Sequence, residues 1–357
     1  MSDGAKFPVA ILGGSGYVSG ELLRLLAGHP RFEVRAALST SQAGEPVTAS
    51  FPHLAGTALD ALRFGDPGAV QPLFESGREI GLFAATPHGT TGALVGALLD
   101  HADAVGARVR VVDLSADFRF RDPEAFAAIY GKSHGAPARC PAFACAVPEH
   151  FAGRPAAHAA QPGCFTTAVV LAAYPLFAAG LAAGEVFVSA VTGSSGSGRT
   201  PAANTHHPER RSTMYAYSPL AHRHEAEMRA LLAPACGGEA PEVEFVPHSG
   251  PFVRGIHATL RVPLAQAASA ADLAAAIDAF YAGSPFVSAS PAPPKLTEVV
   301  GTNRCRIGVS VRGRTAVLLS VIDNLVKGAA GGGVQWMNRL FGLPDETGLV
   351  LPGIGWF

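Results

Sequence analysis

Phe7-Pro8-Val9-Ala10-Ile11-Leu12-Gly13-Gly14-Ser15-Gly16-Tyr17-Val18-Ser19-Gly20-Glu21-Leu22-Leu23-Arg24-Leu25-Leu26 is the stretch that decides the fold. Its apolar start, Phe7 to Leu12, reads as a buried parallel strand. A glycine turn follows, then helical spacing from Glu21 to Leu26, and Phe32 to Leu38 reads as a second strand. Strand, glycine turn, helix and strand within about 30 residues form the βαβ unit of a doubly wound sheet. Gly13 permits the tight turn, and Gly16 lets the backbone approach a pyrophosphate at the helix N-terminus. The turn Gly13, Gly14, Ser15, Gly16 and Tyr17 is therefore expected to hold a dinucleotide. A carboxylate at the end of the second strand would bind the ribose hydroxyls of NAD. This chain has Ser39-Thr40-Ser41 there. Without that carboxylate nothing repels a 2′-phosphate, and hydroxyls can donate to it, so NADP(H) is favoured.

Outward from this unit, Gly81 to Thr86 and Val109 to Leu114 read as further strands, each ending in a polar or Gly/Pro segment (Pro87-His88-Gly89 and Ser115-Ala116-Asp117). After about residue 155 the pattern changes. Val186 to Val191 and Ala258 to Val262 alternate as antiparallel strands do, with helices at Cys164 to Tyr174 and Ala270 to Tyr281. Val317 to Ile322 reads as a strand, and Val326 to Phe341 as a long amphipathic helix. The expected architecture is α/β: a Rossmann-type dinucleotide domain over 1–158, completed by the C-terminal segment 326–357, and a second, α+β domain over 159–325.

The 357 residues suit two domains. Charged residues are only 15%, but 48% are hydrophobic, which excludes disorder driven by low hydrophobicity. Lys+Arg 27 against Asp+Glu 28 leaves no basic excess for a phosphate backbone, so nucleic acid is not the expected partner. No apolar run reaches the roughly 18 residues of a membrane span, and the start does not read as a signal peptide. Five cysteines, an odd count with no Cys-x-x-Cys, fit a reduced cytoplasmic protein.

Gln161-Pro162-Gly163-Cys164 precedes a helical run. A cysteine at a helix N-terminus sits at the positive end of the macrodipole, which favours the nucleophilic thiolate. Cys140, Cys145, Cys236 and Cys305 read as small buried hydrophobes. A thiol nucleophile needs a base, and His222-Arg223-His224 supplies two histidines. His206 and His207 with that pair would make a zinc site of a hydrolase, but no acidic ligand motif accompanies them, and no metal is expected. Arg119, Arg199 and Arg254 stand beside glycine or polar turns, where guanidinium forks suit a substrate with more than one anionic group.

Together these segments resemble the N-acetyl-γ-glutamyl-phosphate reductases of arginine biosynthesis, within the aspartate-semialdehyde dehydrogenase superfamily. The matching stretches include Gly13 to Leu26, Phe51-Pro52-His53-Leu54, Pro87-His88-Gly89, Val112 to Arg119, Pro162-Gly163-Cys164, Gly196-Ser197-Gly198-Arg199, His222-Arg223-His224, Arg254-Gly255-Ile256 and Ile322 to Ala329, in order along nearly the whole chain. The resemblance implies an NADPH-dependent reduction of an acyl phosphate through a thioester on Cys164. It implies His224, or failing that His222, as the acid–base, and Arg119, Gln161, Arg199 and Arg254 at the substrate. It also implies cofactor contacts at Pro87, Ser195, Gly196 and Asn324, and a homodimer or homotetramer. Three positions depart from the family pattern. Ser19 stands for the third glycine, no basic residue occurs in Ser39–Ser41, and Gln161 stands where asparagine is usual. His206-His207-Pro208-Glu209-Arg210 is similar to the aminoadipyl-phosphate reductases of lysine biosynthesis. That alternative would bring Arg210 and Arg211 against a small acidic carrier protein. A non-enzymatic NADP-binding sensor is the alternative outside catalysis.

Overall fold

The computed structural model describes residues 5–151, 153 and 157–355. The chain divides into two compact units, one of Met1–Pro162 with Ala330–Val350 and one of Gly163–Ala329 with the residues after Val350.

The first unit is built on seven parallel strands: β1 (Phe7–Leu12), β2 (Phe32–Leu38), β3 (Phe64–Gly65), β4 (Glu79–Ala84), β5 (Arg108–Asp113), β6 (Phe143–Cys145) and β7 (His158–Ala160). Their order is β3-β2-β1-β4-β5-β7-β6, so the winding reverses between β1 and β4. Helix α1 (Tyr17–Ala27) follows β1, the short α2 (Val47–Ser50) follows β2, α3 (Thr91–Val105) follows β4 and α4 (Pro123–Tyr130) follows β5. Side chains alternate across a strand. One face of the sheet, with Ala10, Leu12, Leu82 and Val111, forms a core with Val95, Leu98, Leu99 and Ala102 of α3. On the other face Gly81 lies against Val9 and Met337.

Met337 belongs to a helix from the far end of the chain. The sequence reading of one amphipathic helix over 326–341 is corrected. Val326–Ala330 is a π turn, and the α-helix is Gly331–Leu340, buried at every position except Arg339. Its opening glycines explain how it fits: a Cβ on Gly332 would lie 2.6 Å from Gln161 Oε1, and one on Gly333 2.8 Å from Leu114 Cδ2. The Trp336 indole N–H donates to Ala146 O at 3.0 Å, and Arg339 donates to Pro148 O and Phe151 O.

The second unit carries β8 (Val186–Thr192), β9 (Tyr215–Ala216), β10 (Val243–Ser249), β11 (Ile256–Pro263), β12 (Val287–Ser290), β13 (Cys305–Arg312) and β14 (Thr315–Ile322), in the order β12-β13-β14-β11-β8-β10-β9. The expected antiparallel sheet is mixed, because β8 pairs β10 and β12 pairs β13 in parallel. Its helices are α5 (Cys164–Ala178), the short α6 (His207–Arg210), α7 (His224–Leu232) and α8 (Ala270–Phe280); the first unit's Gly331–Leu340 is α9. Helix α5 packs on β11 and β14 and is flanked by α7 and α8. On the opposite face of the sheet Ser189, Val191, Val246, His257, Thr259, Val317 and Leu319 are half-buried and Phe187 is exposed.

The unit boundary falls after Pro162 rather than at the expected 158, and the segment 326–357 is shared between the units. Two contacts explain the sharing. Gly328 abuts Cys164, and the Ile354 N–H bonds to Val300 O, both within the second unit.

Candidate functional site

The glycine turn of the first unit sits at the reversal of strand order, where open α/β sheets bind ligands. Gly13 has φ +86°, and a Cβ there would lie 2.7 Å from Ala85 O, so only glycine fits. Gly14 donates to Leu38 O at 2.5 Å and packs on Phe64. Gly16, by contrast, has nothing within 4 Å of a built Cβ. It is the residue before α1 and its side-chain space is empty, which is the shape a pyrophosphate needs at a helix N-terminus. Ser19, in the third-glycine position, turns its hydroxyl back onto Gly13 O at 2.6 Å and so braces the turn. Ser39 is buried and donates to Ser15 Oγ at 3.2 Å, whereas Thr40 and Ser41 are exposed. Tyr17 is 41% exposed. These residues fit a dinucleotide, with no carboxylate among Ser39–Ser41 to repel a 2′-phosphate. Pro87 is exposed in the turn after β4. The N–H groups of Gly89 and Gly92 in and after that turn donate to the buried Asp117 carboxylate at 2.7 and 2.8 Å.

In the second unit Cys164 is the first residue of α5, preceded by Gly163 and half-buried. His224 is the first residue of α7, and its ring lies so close to Gly163 that a Cβ there would overlap it. The two helix starts are joined by Glu227, which is 2% exposed. Its Oε2 accepts the Gly163 N–H at 2.9 Å and the Thr166 hydroxyl at 3.1 Å. Glu227 was missed in the sequence. It lies three residues after His224, so a helix starting there puts both on one face. On the other side a Cβ on Gly328 would lie 2.7 Å from Cys164 Cβ, which brings the π turn against the thiol residue.

The rings of His222 and His224 are 4.6 Å apart and nearly perpendicular. Phe165 and Phe245 pack edge-on against His222. This burial, with the Arg223 cation beside it, pushes His222 down to about 4, so it is neutral at physiological pH. The His224 N–H donates to His222 Nδ1 at 3.2 Å. Tyr217, whose ring meets His222 at 5.6 Å, is pushed up mainly by burial, with Cys164 and Tyr215 nearby adding to the rise, so its hydroxyl keeps its proton.

The anion-binding candidates are placed unequally. Arg119 follows β5 and its Nε donates to Gln161 O at 3.0 Å; Gln161 is buried. Arg199 is exposed after the Ser194–Ser197 turn, as is Gly196. Arg254 forms an ion pair with Asp323 at 2.9 Å, and Asp323 also accepts the N–H groups of Gly301, Leu325 and Val326. Asn324, expected at the cofactor, is 3% exposed and bonded within its own unit: its Oδ1 accepts the Gly255 N–H at 2.7 Å and its Nδ2 donates to Ser195 Oγ at 3.0 Å. Arg210 is corrected as a carrier contact. It is buried, with Nη1 on Thr213 O at 2.9 Å and its guanidinium over Tyr215. Among the described residues no three His, Cys, Asp or Glu side chains are grouped to hold a metal, so His206 and His207 do not join His222 and His224 in one.

Residues 8–164 match the family model of the semialdehyde dehydrogenase NAD-binding domain, and residues 164–324 that of the semialdehyde dehydrogenase dimerisation domain. Among solved structures the chain is similar to aspartate semialdehyde dehydrogenase II of Vibrio cholerae, with a TM-score of 0.68 at 16% identity over 94% of this chain and 98% of that one. It is similar also to the Candida albicans aspartate semialdehyde dehydrogenase with NADP, with a TM-score of 0.66 at 15% identity over 94% and 99%. At these identities the likeness is one of fold. Among sequences, the N-acetyl-γ-glutamyl-phosphate reductases of Pseudomonas paraeruginosa and Azotobacter vinelandii are each 43% identical over 96% of this chain and 97% of their own length. The chain belongs to the semialdehyde dehydrogenase family, in its N-acetyl-γ-glutamyl-phosphate reductase branch.

Proposed function

We propose that this chain reduces N-acetyl-γ-glutamyl phosphate to N-acetylglutamate semialdehyde through a thioester on Cys164. The observation that carries the chemistry is the meeting of two helix starts: Cys164 opens α5, and His224 opens α7 with its ring against Gly163. The substrate comes from the named relatives at 43% identity.

In this reading the Cys164 thiolate attacks the acyl carbon, the carbon–sulfur bond forms and phosphate leaves. His224 accepts the thiol proton and later returns a proton to the product side, the exchange expected of a histidine beside its nucleophile. Glu227 holds both helix starts in register. His222, neutral and packed by Phe165 and Phe245, orients the segment instead of exchanging protons. Arg119, Arg199 and Gln161 receive the substrate's charged and polar groups. Arg254 contributes mainly by neutralising Asp323. Gly13, Gly14, Ser15, Gly16 and Tyr17, with Ser39–Ser41 toward the 2′-phosphate, would hold NADPH, which would supply hydride to the thioester carbonyl; the carbon–sulfur bond to Cys164 then breaks and the semialdehyde leaves.

The open sheet face of the second unit, which carries Phe187 and Val191, supports assembly as a homodimer, as does that unit's match to a dimerisation domain. None of the five cysteines is joined in a disulfide, which supports a reducing compartment and so the cytoplasm. No helix among the described residues is long and apolar enough to cross a membrane.

The test is the reverse reaction with inorganic phosphate and NADP⁺, offering N-acetylglutamate semialdehyde and its aminoadipate analogue separately. The expected kcat/KM ratio favours the glutamate compound by at least about tenfold, or about 1.4 kcal/mol. A preference for the longer substrate overturns the assignment.

A further inference from the structure

At the edge of the second unit's sheet lies a cavity of about 170 Å³, formed by the segment 284–288 together with Arg304 and Arg306. Strands β12 and β13 run parallel here, with Ser288 opposite Arg306. Arg306 Nη1 donates to Ser288 Oγ at 2.6 Å, which leaves the hydroxyl proton of Ser288 for another acceptor. Ser284 Oγ accepts the Phe286 N–H at 3.3 Å and is left in the same state. Arg304 is exposed, and its backbone is fixed by its N–H on Thr302 Oγ1 at 3.2 Å. No carboxylate lines the cavity, and among the described residues none pairs with either guanidinium.

The cavity therefore gathers two cations that cannot shed their protons and two hydroxyl donors, with no anion of the protein's own to balance them. A fork of this kind matches a tetrahedral oxyanion, whose several oxygens each accept more than one bond. The volume is below the roughly 300 Å³ at which pockets begin to hold drug-sized ligands, so a dinucleotide is excluded by size. Cys164, His224 and the glycine turn do not line it. We propose that this cavity is a second anion site, taking inorganic phosphate or a small phosphate monoester on Arg304, Arg306 and the hydroxyls of Ser284 and Ser288.

The experiment is calorimetric titration of the whole 357-residue chain with inorganic phosphate, and separately with glycerol phosphate, at ionic strength matched with chloride. The variants are Arg304→Gln with Arg306→Gln, and Ser288→Ala alone. Wild type is expected to bind one more phosphate per chain than the double glutamine variant, whose kcat on the acyl phosphate stays within twofold. Ser288→Ala, which keeps both charges, is expected to weaken that extra site at least threefold. The glycerol phosphate arm tells whether a monoester enters as well as the free ion. Equal stoichiometry and affinity in wild type and the double variant overturn the proposal, as does displacement of phosphate by chloride at equal ionic strength.

Discussion

Two helices of this molecule begin after a glycine turn, and they treat their unpaired N–H groups in opposite ways. At the start of α1 the protein supplies nothing: Gly16 makes no side-chain cap, the first turn has no acidic residue, and the space beside Gly16 is empty. At the start of α5 the place of an anion is already filled, because the buried Glu227 accepts the Gly163 N–H. In the proposed function the first end is left for the dinucleotide, whereas the second is occupied by Glu227 of α7, which ties Gly163 and Thr166 to that helix. The difference changes the account of the nucleophile given by the sequence. A helix dipole alone was expected to favour the Cys164 thiolate. With a carboxylate already at that helix end, the dipole serves two negative groups, and proton removal falls more heavily on His224.

The comparison breaks most sharply at the thiol. Cys164→Ser is expected to lower kcat at least about a thousandfold, or about 4 kcal/mol of barrier, because a hydroxyl gives almost no anion near neutral pH. Dinucleotide binding, followed by fluorescence titration, is expected to stay within twofold, since Gly16 is untouched. Retention of a tenth of wild-type turnover would reject covalent catalysis at this residue.

A second test replaces the glycine at each helix start. Gly163→Ala drives a methyl into the His224 ring and is expected to cost kcat about a hundredfold. At Gly16 a Cβ has nothing within 4 Å and φ is an ordinary −82°, so Gly16→Val is expected to leave Tm nearly unchanged while KM for NADPH rises about tenfold. If Gly16→Val leaves that KM unchanged, the phosphates do not sit on α1.

The histidine pair sharpens the second region further. His224→Asn is expected to cost about ten times more kcat than His222→Asn. His222, held near 4, has no proton to lose above pH 6, so the near-neutral limb of the pH profile should survive His222→Asn and vanish in His224→Asn. The reverse pattern would exchange their roles.

The smallest effect concerns the first unit's stability. Burial pushes His29 and His158 each from 6.5 down to about 4. Between those values the unfolded chain binds protons that the folded chain does not, so stability falls as pH drops through that window. Burial raises Asp113 from 3.8 to about 6, and its contribution is lost in the opposite direction, as pH rises from 3.8 to 6. Two histidines outweigh one acid. The urea midpoint should therefore fall from pH 6.5 to pH 4, and His158→Asn should make that fall smaller. A midpoint that rises on acidification would show that Asp113 dominates.

What the sequence made legible follows from how local each signal is. Strands β1 and β2 and the start of α5 were readable to the residue, because apolar runs meet glycine turns there. The two-residue strands β3 and β9 carry no periodicity of their own and exist only by pairing with β2 and β10. The parallel partnership of β8 and β10 is a long-range choice that alternation cannot report. Cys164, His222 and His224 are proposed from chemistry and spacing, and the structure places the two histidine rings 4.6 Å apart beside the start of α5. Glu227 was not found in that way, because a carboxylate on a helix looks like a solvated face until a second helix buries it. Arg254 and Asn324 were placed at ligands, and the partners that occupy them, Asp323 and Ser195, stand far away or look neutral in the sequence.

The discontinuity of the first unit bears on how this chain is made. Its sheet is complete once Ala160 has left the ribosome, yet the helix that covers one face, with Met337 against Gly81, ends the chain's long detour through the second unit. At about 5–20 residues per second, the face around Val9 and Gly81 waits roughly ten to forty seconds for its cover. Three successive glycines at the head of that helix, each about 1 kcal/mol poorer than alanine, keep it from forming early by itself. The dinucleotide domain therefore leaves one sheet face bare until residues 331–340 have been made, and a chain truncated before Gly331 should aggregate through that face.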